Sequence, residues 1–136
     1  MRVDSIGCNH MVLIFGGVYQ GKLMYALDRF GLADNDVYLC SEEDAVIPEN
    51  KKIIYEVDKW ILALIRTNTD IAEAMQRFIA ANADAVVICN DISCGVVPVD
   101  ATQRKWREAM GRTLAELSCC SSEAIRLFCG IPTRMK

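Results

Sequence analysis

A glycine-rich segment between an apolar run and a helical pattern constrains the fold of this chain more than any other feature. Residues 16–22 read GGVYQGK and so contain G-x-x-x-x-G-K, the phosphate-binding loop pattern. An apolar run at residues 11–15 precedes this loop, and a helical pattern begins near Lys22, which is the strand-loop-helix setting that the pattern requires. Successive backbone N–H groups of such a loop, backed by a helix N-terminus, form a concave anion site that a lysine completes. The segment therefore predicts binding of a nucleoside triphosphate.

The predicted nucleotide contacts come from consecutive residues of the loop and of the first helical turn. They are Gly16, Gly17, Val18, Tyr19, Gln20, Gly21, Lys22 and Leu23. Lys22 is also a predicted catalytic residue, because the lysine of this pattern reaches the terminal phosphates. The alternative is a tight strand-to-helix turn that carries a surface lysine. Leu23 stands where the pattern has a Ser or Thr whose hydroxyl ligates Mg²⁺, so the sequence supports binding of ATP or GTP better than Mg²⁺ binding or catalysis.

Length, charge and cysteine content narrow the class of protein. A chain of 136 residues predicts one nucleotide-binding domain over residues 1–136. Its net charge of −3, with acidic and basic residues interspersed, argues against nucleic acid as the main partner. No apolar run approaches the roughly 20 residues of a membrane span, and the first residues lack a signal-peptide pattern, so a cytoplasmic location is predicted. Seven cysteines without a C-x-x-C pair indicate neither a disulfide framework nor a zinc site.

Strand and helix patterns alternate along the rest of the chain. Predicted strands cover residues 11–15, 36–40, 53–57, 85–89 and, as the last strand, 124–129. Predicted helices run from Lys22 to a stop at Gly31, around residues 60–65, over 70–81 and over 102–117, and residues 41–50 read as a loop. This alternation predicts an α/β fold, a parallel sheet of the P-loop NTPase type with helices on both faces.

Two aspartates follow predicted strands at the edge of the sheet where ligands bind. Asp58 follows the strand at 53–57, the place where a P-loop protein has its magnesium-directed carboxylate, with Glu56 as the alternate. The other reading of Asp58 is a solvated helix N-cap. Asp91 follows the strand at 85–89, at the carboxyl edge where open α/β sheets bind ligands. Asp58 and Asp91 are thus the candidate Mg²⁺ ligands and, with Lys22, the candidate catalytic residues.

Three further motifs carry a resemblance to a known family. They are NDISCGVVP at residues 90–98, RKWREAMGR at 104–112 and GIPTRMK at 130–136. Their order and spacing resemble those of the cobinamide kinase/cobinamide-phosphate guanylyltransferase family of cobalamin biosynthesis. In that family the corresponding runs look like Asn-Glu-Val-Gly-x-Gly-Ile-Val-Pro, Arg-x-Phe-Arg-x-x-x-Gly-Arg and Gly-Ile-Pro-x-Arg-x-Lys, and the chain opens with a Gly-Gly-x-x-Ser-Gly-Lys-Ser loop. Asp91 stands where the family has a glutamate.

The resemblance implies an activity and partners. It implies transfer of a phosphoryl group from ATP or GTP to a cobinamide-like alcohol, a corrinoid partner, and assembly as a homo-oligomer. It also implies a phosphate-binding or interface role for Arg104, Arg107 and Arg112. Without the resemblance, these residues would be interpreted as lying on the solvent-exposed face of a helix. The alternative function is that of a non-catalytic nucleotide-binding sensor or assembly protein.

One part of the family pattern is missing from the sequence. Members of the family carry a helix between the second and third strands, and a histidine on that helix accepts the guanylyl group from GTP. Residues 41–52 contain no histidine, and the only histidine, His10, precedes the first strand. The guanylyltransferase activity is therefore expected to be absent.

Overall fold

The computed structural model of the protein describes residues 10–18, 20–49, 51–92 and 100–136. Its strands are β1 (Val12–Gly16), β2 (Val37–Leu39), β3 (Ile53–Tyr55), β4 (Val86–Asn90), β5 (Glu123–Phe128) and β6 (Ile131–Arg134). Its α-helices are α1 (Lys22–Phe30), α2 (Val57–Arg66), α3 (Ile71–Ala81) and α4 (Ala101–Cys120). The strands form one sheet in the order β2-β3-β4-β1-β5-β6.

The sheet is parallel except at β6, and this confirms the predicted α/β class. Strand β1 lies between two parallel partners, β4 and β5, with Val12 aligned to Val86 on one side and to Glu123 on the other. Side chains alternate between the faces of a strand, and Leu13 and Ile14 of β1 accordingly belong to two different apolar clusters. The cluster of Leu13 packs against α2, α3 and α4, and that of Ile14 packs against α1. Helices therefore cover both faces of the sheet.

The prediction that residues 124–129 form the last strand is wrong. Strand β5 ends at Phe128, and Cys129 and Gly130 form a turn with φ values of 52° and 75°. The chain then returns as β6, antiparallel to β5. A non-glycine residue at positive φ is uncommon, so a cysteine at the first turn position gives little sign of a hairpin in the sequence.

Several predicted boundaries shift by a few residues. The predicted strand at 53–57 is too long, because α2 already begins at Val57. The predicted helix at 102–117 extends over Ala101–Cys120, and the side chain of Asp100 caps it by accepting a hydrogen bond from the backbone N of Gln103 at 2.9 Å. Helix α1 ends as predicted at Gly31, whose φ is 64°. None of the helices in the described ranges is long and apolar enough to span a membrane.

Candidate functional site

The glycine-rich loop joins β1 to α1 at the carboxyl edge of the sheet. Gly16 is the last residue of β1, and a Cβ there would collide with the carbonyl oxygen of Leu127 in β5. Gly21 precedes α1 with φ 83°, a left-handed conformation that favours glycine, and apart from its chain neighbours no atom of the described residues lies within 4 Å of the position where its Cβ would be. Gly16 therefore permits close strand packing, whereas Gly21 permits the turn into the helix and leaves open space above it.

Lys22 is buried rather than placed on the surface. Its exposed fraction is 4%, and its Nζ donates a hydrogen bond of 2.5 Å to the carbonyl oxygen of Gly17 within the loop. Burial lowers the pKa of the Lys22 ammonium, and the negative charges of Asp58 and Glu56 oppose that shift. The alternative of a surface lysine is therefore wrong. The arrangement puts one cation between the loop and the carboxylates that follow β3.

Asp58 belongs to a buried hydrogen-bond network that includes the end of β4. Its exposed fraction is 1%. Its Oδ1 accepts from the backbone N of Asn90 at 3.0 Å, and its Oδ2 accepts from Nδ2 of Asn90 at 3.3 Å. Burial raises the pKa of Asp58, and the two donors of Asn90 act in the opposite direction. Because the N-cap position of α2 is Glu56, the reading of Asp58 as a solvated N-cap is wrong.

Glu56 is the second carboxylate of this network. Its Oε2 accepts from Nδ2 of Asn90 at 3.2 Å, so a single amide group bridges Glu56 and Asp58. Glu56 has φ 60° and ψ 52°, a left-handed conformation that a non-glycine residue adopts at some cost in free energy. Such conformations occur preferentially at functional sites, where the surroundings maintain them.

Asp91 directly follows Asn90, the last residue of β4, and contacts the beginning of the loop. Its backbone N donates a hydrogen bond of 2.8 Å to the carbonyl oxygen of Gly16, which connects the end of β4 to the beginning of the loop. Asp91 lines a cavity of about 180 Å³ together with Gly16, Gly17 and Gln20 of the loop. The structure thus places both predicted aspartates beside the loop, but in different surroundings. Among the described residues, no group of three or more His, Cys, Asp or Glu side chains could hold a metal ion.

The other residues that were predicted to contact the nucleotide differ in exposure and in hydrogen bonding. Val18 is 54% exposed, whereas Leu23 is half-buried and packs against the apolar cluster on the α1 side of the sheet. The Oε1 of Gln20 accepts a hydrogen bond from the backbone N of Cys129, which connects the loop to the β5–β6 turn. Tyr19 lies outside the described residues, as do residues 93–98 of the NDISCGVVP motif.

The predicted arginines of α4 lie on a helix that is connected to the site by a tryptophan. Nε1 of Trp106 donates a hydrogen bond of 2.7 Å to the backbone carbonyl of Asp58. Arg112 is exposed and pairs with Glu108 at 2.8 Å, one turn earlier in the same helix. Arg104 is exposed and Arg107 is half-buried. Trp106 therefore provides a specific contact between α4 and the start of α2.

Sequence reasoning missed three residues of the site. Asn90 is the first residue of the NDISCGVVP motif, and Trp106 stands at the aromatic position of the RKWREAMGR motif. Both residues therefore belong to motifs of the family, but only their side-chain contacts show what they do in the site. Arg126 of β5 lines the cavity beside the loop, and no motif pointed to it.

A cavity larger than the one beside the loop lies at the opposite edge of the sheet. It has a volume of about 390 Å³ and is lined by Lys51 and Lys52, which precede β3, and by Ala85, which precedes β4. Open α/β sheets bind ligands at the carboxyl ends of their strands, so the edge that carries the glycine-rich loop is the stronger candidate despite its smaller cavity.

A mostly parallel sheet covered by helices on both faces, with a glycine-rich loop at its carboxyl edge, places the protein in the P-loop-like α/β class. A family model described as cobinamide kinase / cobinamide phosphate guanyltransferase matches residues 45–135. The chain belongs to this family, and thus to the nucleotide-binding proteins of cobalamin biosynthesis. The matched range contains β3, β4 and α4 and begins after the glycine-rich loop. A search of curated proteins finds no match.

Proposed function

We propose that the protein binds ATP or GTP through residues 16–22 and transfers the terminal phosphoryl group to a cobinamide-like alcohol. The observation that carries this proposal is the position of Lys22, which is buried between the loop carbonyl of Gly17 and the carboxylates that follow β3. A buried lysine that is bonded to its own loop is available for a phosphate, because it needs to exchange only one carbonyl partner for phosphate oxygens. The membership of the chain in the cobinamide kinase family supports the choice of acceptor.

Catalysis of phosphoryl transfer depends on positioning and on neutralisation of the charge on the phosphates. Lys22 supplies one positive charge at the loop, and Glu56 and Asp58 favour its protonated form. The backbone N–H groups at the start of α1 provide further donors, since the first turn of a helix has no internal partners for them. These groups bind and orient the nucleotide.

Asp58 and Asp91 supply only some of the ligands that a magnesium ion has in such a site. Mg²⁺ is bound in such sites through one or two carboxylates together with phosphate oxygens, and when bound it neutralises charge on the terminal phosphates. Asp58 and Asp91 are the residues that would hold the ion, and the Asp58 carboxylate, which has about four lone-pair sites, accepts two hydrogen bonds from Asn90 and one from its own backbone. Leu23 has no hydroxyl to contribute, so binding of the ion is expected to be weaker than in a loop with Ser or Thr.

We also propose that the guanylyltransferase activity is absent. The described residues between β2 and β3, which are 40–49 and 51–52, contain no helix, and no histidine occurs there. Incubation with labelled GTP followed by mass spectrometry of the intact chain should show no guanylyl adduct. A stable adduct on any residue would contradict this part of the proposal.

A second candidate function is that of a nucleotide-binding sensor or assembly protein without catalysis. Leu23, which removes a metal ligand, and the missing histidine helix favour it. An assay of phosphoryl transfer from ATP and GTP to cobinamide, compared with binding of the same nucleotides, distinguishes a kinase from a sensor. Homo-oligomeric assembly and a cytoplasmic location stay predictions, and sedimentation and cell fractionation would test them.

The test of nucleotide binding is a calorimetric titration with ATP and with GTP, each with and without Mg²⁺. Lys22→Ala should weaken binding by about 1 to 3 kcal/mol, because a charge-assisted contact to phosphate is lost. Lys52→Ala is the matched control, since Lys52 is exposed at the opposite edge of the sheet. Unchanged affinity in Lys22→Ala, or no binding of either nucleotide by the unmutated protein, would overturn the proposal.

A further inference from the structure

A cleft with aromatic side chains in its lining lies between residues 45–49 and the helices α2 and α3. Its volume is about 270 Å³, and it is lined by Trp60 and Leu64 of α2 and by Phe78 of α3. The rings of Trp60 and Phe78 pack with their centroids 5.0 Å apart, and Nε1 of Trp60 donates a hydrogen bond of 2.8 Å to the carbonyl oxygen of Ala45. This aromatic cleft is therefore held in shape by packing and hydrogen bonding, and its lining suits a flat apolar group.

The aromatic cleft adjoins the cavity of about 390 Å³ at the amino edge of the sheet. Glu49, Ala81 and Asn82 line both spaces. Glu49 and Ala81 are exposed, whereas Asn82 is only 5% exposed. The two spaces thus meet at a shared wall that contains one buried polar side chain, at the edge of the sheet opposite to the glycine-rich loop.

The buried side chain of this wall has an acceptor without a donor. Nδ2 of Asn82 donates a hydrogen bond of 3.0 Å to the carbonyl oxygen of Phe78, near the end of α3. Among the residues that the structure describes, Oδ1 of Asn82 is the only buried side-chain nitrogen or oxygen atom that has no hydrogen-bond partner. Leaving a buried acceptor unpaired costs free energy, so a donor that reaches Oδ1 recovers part of that cost.

The second polar group of the shared wall is also an acceptor. The carboxylate of Glu49 only accepts hydrogen bonds when it is ionised, and it forms no hydrogen bond or ion pair with another described residue. Arg77, the cation that lines the aromatic cleft, is paired with Glu73 one turn earlier in α3. The wall therefore suits a group that carries a positive charge and several donors.

The lysines of the larger cavity do not remove this preference. Nζ of Lys51 donates a hydrogen bond of 2.9 Å to the carbonyl oxygen of Asn35, which lines neither space. Lys52 and Asp84 both line the larger cavity, so their opposite charges offset each other, and neither residue lines the aromatic cleft. The negative charge of Glu49 thus dominates at the aromatic cleft.

We propose that the aromatic cleft and the shared wall bind a primary amine with an aromatic body, as its ammonium ion. The aromatic body packs against Trp60 and Phe78, and the ammonium donates hydrogen bonds to the carboxylate of Glu49 and to Oδ1 of Asn82. Because Oδ1 is buried, the ammonium reaches it only when the shared wall opens, and the exposed Glu49 and Ala81 are the parts of the wall that move. The site lies at the amino edge of the sheet, so this inference does not depend on the proposed nucleotide binding.

The test is an NMR titration of the unmutated protein with phenethylamine at neutral pH, where the amine is protonated. Phenethyl alcohol has the same body without the charge and is the matched probe. The chain has two tryptophans, and Trp106→Phe assigns their indole N–H signals. The amine should shift the signals of the Trp60 indole and of the Asn82 side-chain amide and leave that of Trp106 unchanged. It should bind roughly three- to fivefold more tightly than the alcohol, which is the size of effect expected of an exposed ion pair.

Two substitutions in the shared wall test the contacts of the ammonium. Glu49→Gln should remove the difference in affinity between the amine and the alcohol, and Glu43→Gln is its matched control because Glu43 is exposed and lines neither space. Ala81→Lys places a cation at the wall and should weaken binding of the amine at least about threefold. Ala72→Lys is the control for this charge, since Ala72 is exposed on the same helix and lines neither space. All four altered residues are exposed, so unfolding temperatures should change little.

Four results would overturn the inference. They are an unshifted Trp60 signal, an Asn82 amide signal that does not respond to the amine, equal affinity of the unmutated protein for the amine and the alcohol, and an amine affinity that Glu49→Gln and Ala81→Lys change no more than their controls do.

Discussion

Asn90 holds the buried carboxylate of Asp58 through two hydrogen bonds, one from its backbone N at 3.0 Å and one from its Nδ2 at 3.3 Å. The same Nδ2 lies 3.2 Å from Oε2 of Glu56. Asn90 is thus a neutral donor between two groups that would repel each other when both are ionised. A buried carboxylate that keeps its charge needs such donors, and Lys22 adds a positive charge to the same region.

Replacing Asn90 by Asp should destabilise the protein. The change removes the Nδ2 donor and adds a third carboxylate beside Glu56 and Asp58, and we expect the free energy of unfolding to fall by about 1 to 3 kcal/mol. Asn35→Asp is the matched control, because it adds the same charge at an exposed position and should change stability by less than about 0.5 kcal/mol. Urea denaturation at neutral pH measures the free energy of unfolding of both variants.

In the double variant Asn90→Asp/Asp58→Asn the amide donor moves to the other side of the pair. Stability no higher than in Asn90→Asp alone would contradict the pairing.

Gly16 and Gly111 should respond in opposite directions to replacement by alanine. At Gly16 a methyl group would collide with the carbonyl oxygen of Leu127, so β1 and β5 would have to separate and the protein should lose stability. Gly111 lies inside α4, and no neighbouring atom lies within 4 Å of its added Cβ. Alanine there should raise the free energy of unfolding by about 0.5 to 1 kcal/mol, because it favours the helix. Thermal unfolding of the two variants tests this pair, and a stabilising Gly16→Ala would refute the close approach of the strands.

Leu23→Ser should increase the magnesium dependence of nucleotide binding. The half-buried leucine packs against the α1-side cluster, so its replacement also removes apolar contacts. Leu23→Ala loses the same contacts without gaining a hydroxyl, and it therefore isolates the effect of the metal ligand. Calorimetry with and without Mg²⁺ should show the gain only in the serine variant. Combination with Asp58→Asn or Asp91→Asn should abolish the gain if that aspartate holds the ion, and equal magnesium dependence of the serine and alanine variants would contradict the prediction.

The thiols should separate into a protected and a reactive set. Burial raises the pKa of Cys40 from 9.0 to about 12, and it raises the pKa of the fully buried Cys89 well above its usual range. Iodoacetamide at pH 9 should therefore modify the exposed Cys119 and Cys129 in the folded protein and leave Cys40 and Cys89 unmodified, because the thiolate is the reactive form. Peptide mass spectrometry measures each site, with urea-unfolded protein as the control.

The burial of Cys40 also makes the stability of the protein depend on pH in alkaline solution. The unfolded chain loses the Cys40 proton near pH 9.0 whereas the folded protein keeps it to about pH 12, so this contribution to stability is present below pH 9 and is lost as the pH rises between these values. Cys40→Ala should reduce the slope of stability against pH in that window, and an unchanged slope would contradict the assignment.

The sequence by itself determined the order of elements and the position of the loop. Apolar runs, helical spacing and the glycines of residues 16–22 are local patterns, and local patterns specify which segments become strands or helices. The alternation of these segments then leaves few topologies, and a mostly parallel sheet with helices on both faces is the simplest of them. For the same reason Asp58 and Asp91 could be assigned to the carboxyl edge before their contacts were known.

Only the tertiary structure decided which side chains meet at that edge. Asn90 and Asp58 are 32 residues apart, and Gln20 reaches Cys129 across 109 residues, so no local pattern predicts either contact. The β5–β6 hairpin was missed because a cysteine adopts a left-handed conformation at its turn. That hairpin is the structural partner of the glycine-rich loop. Arg126 reaches the cavity beside the loop because β5 pairs with β1, and such pairing is decided by packing of the whole sheet rather than by the residues around the arginine.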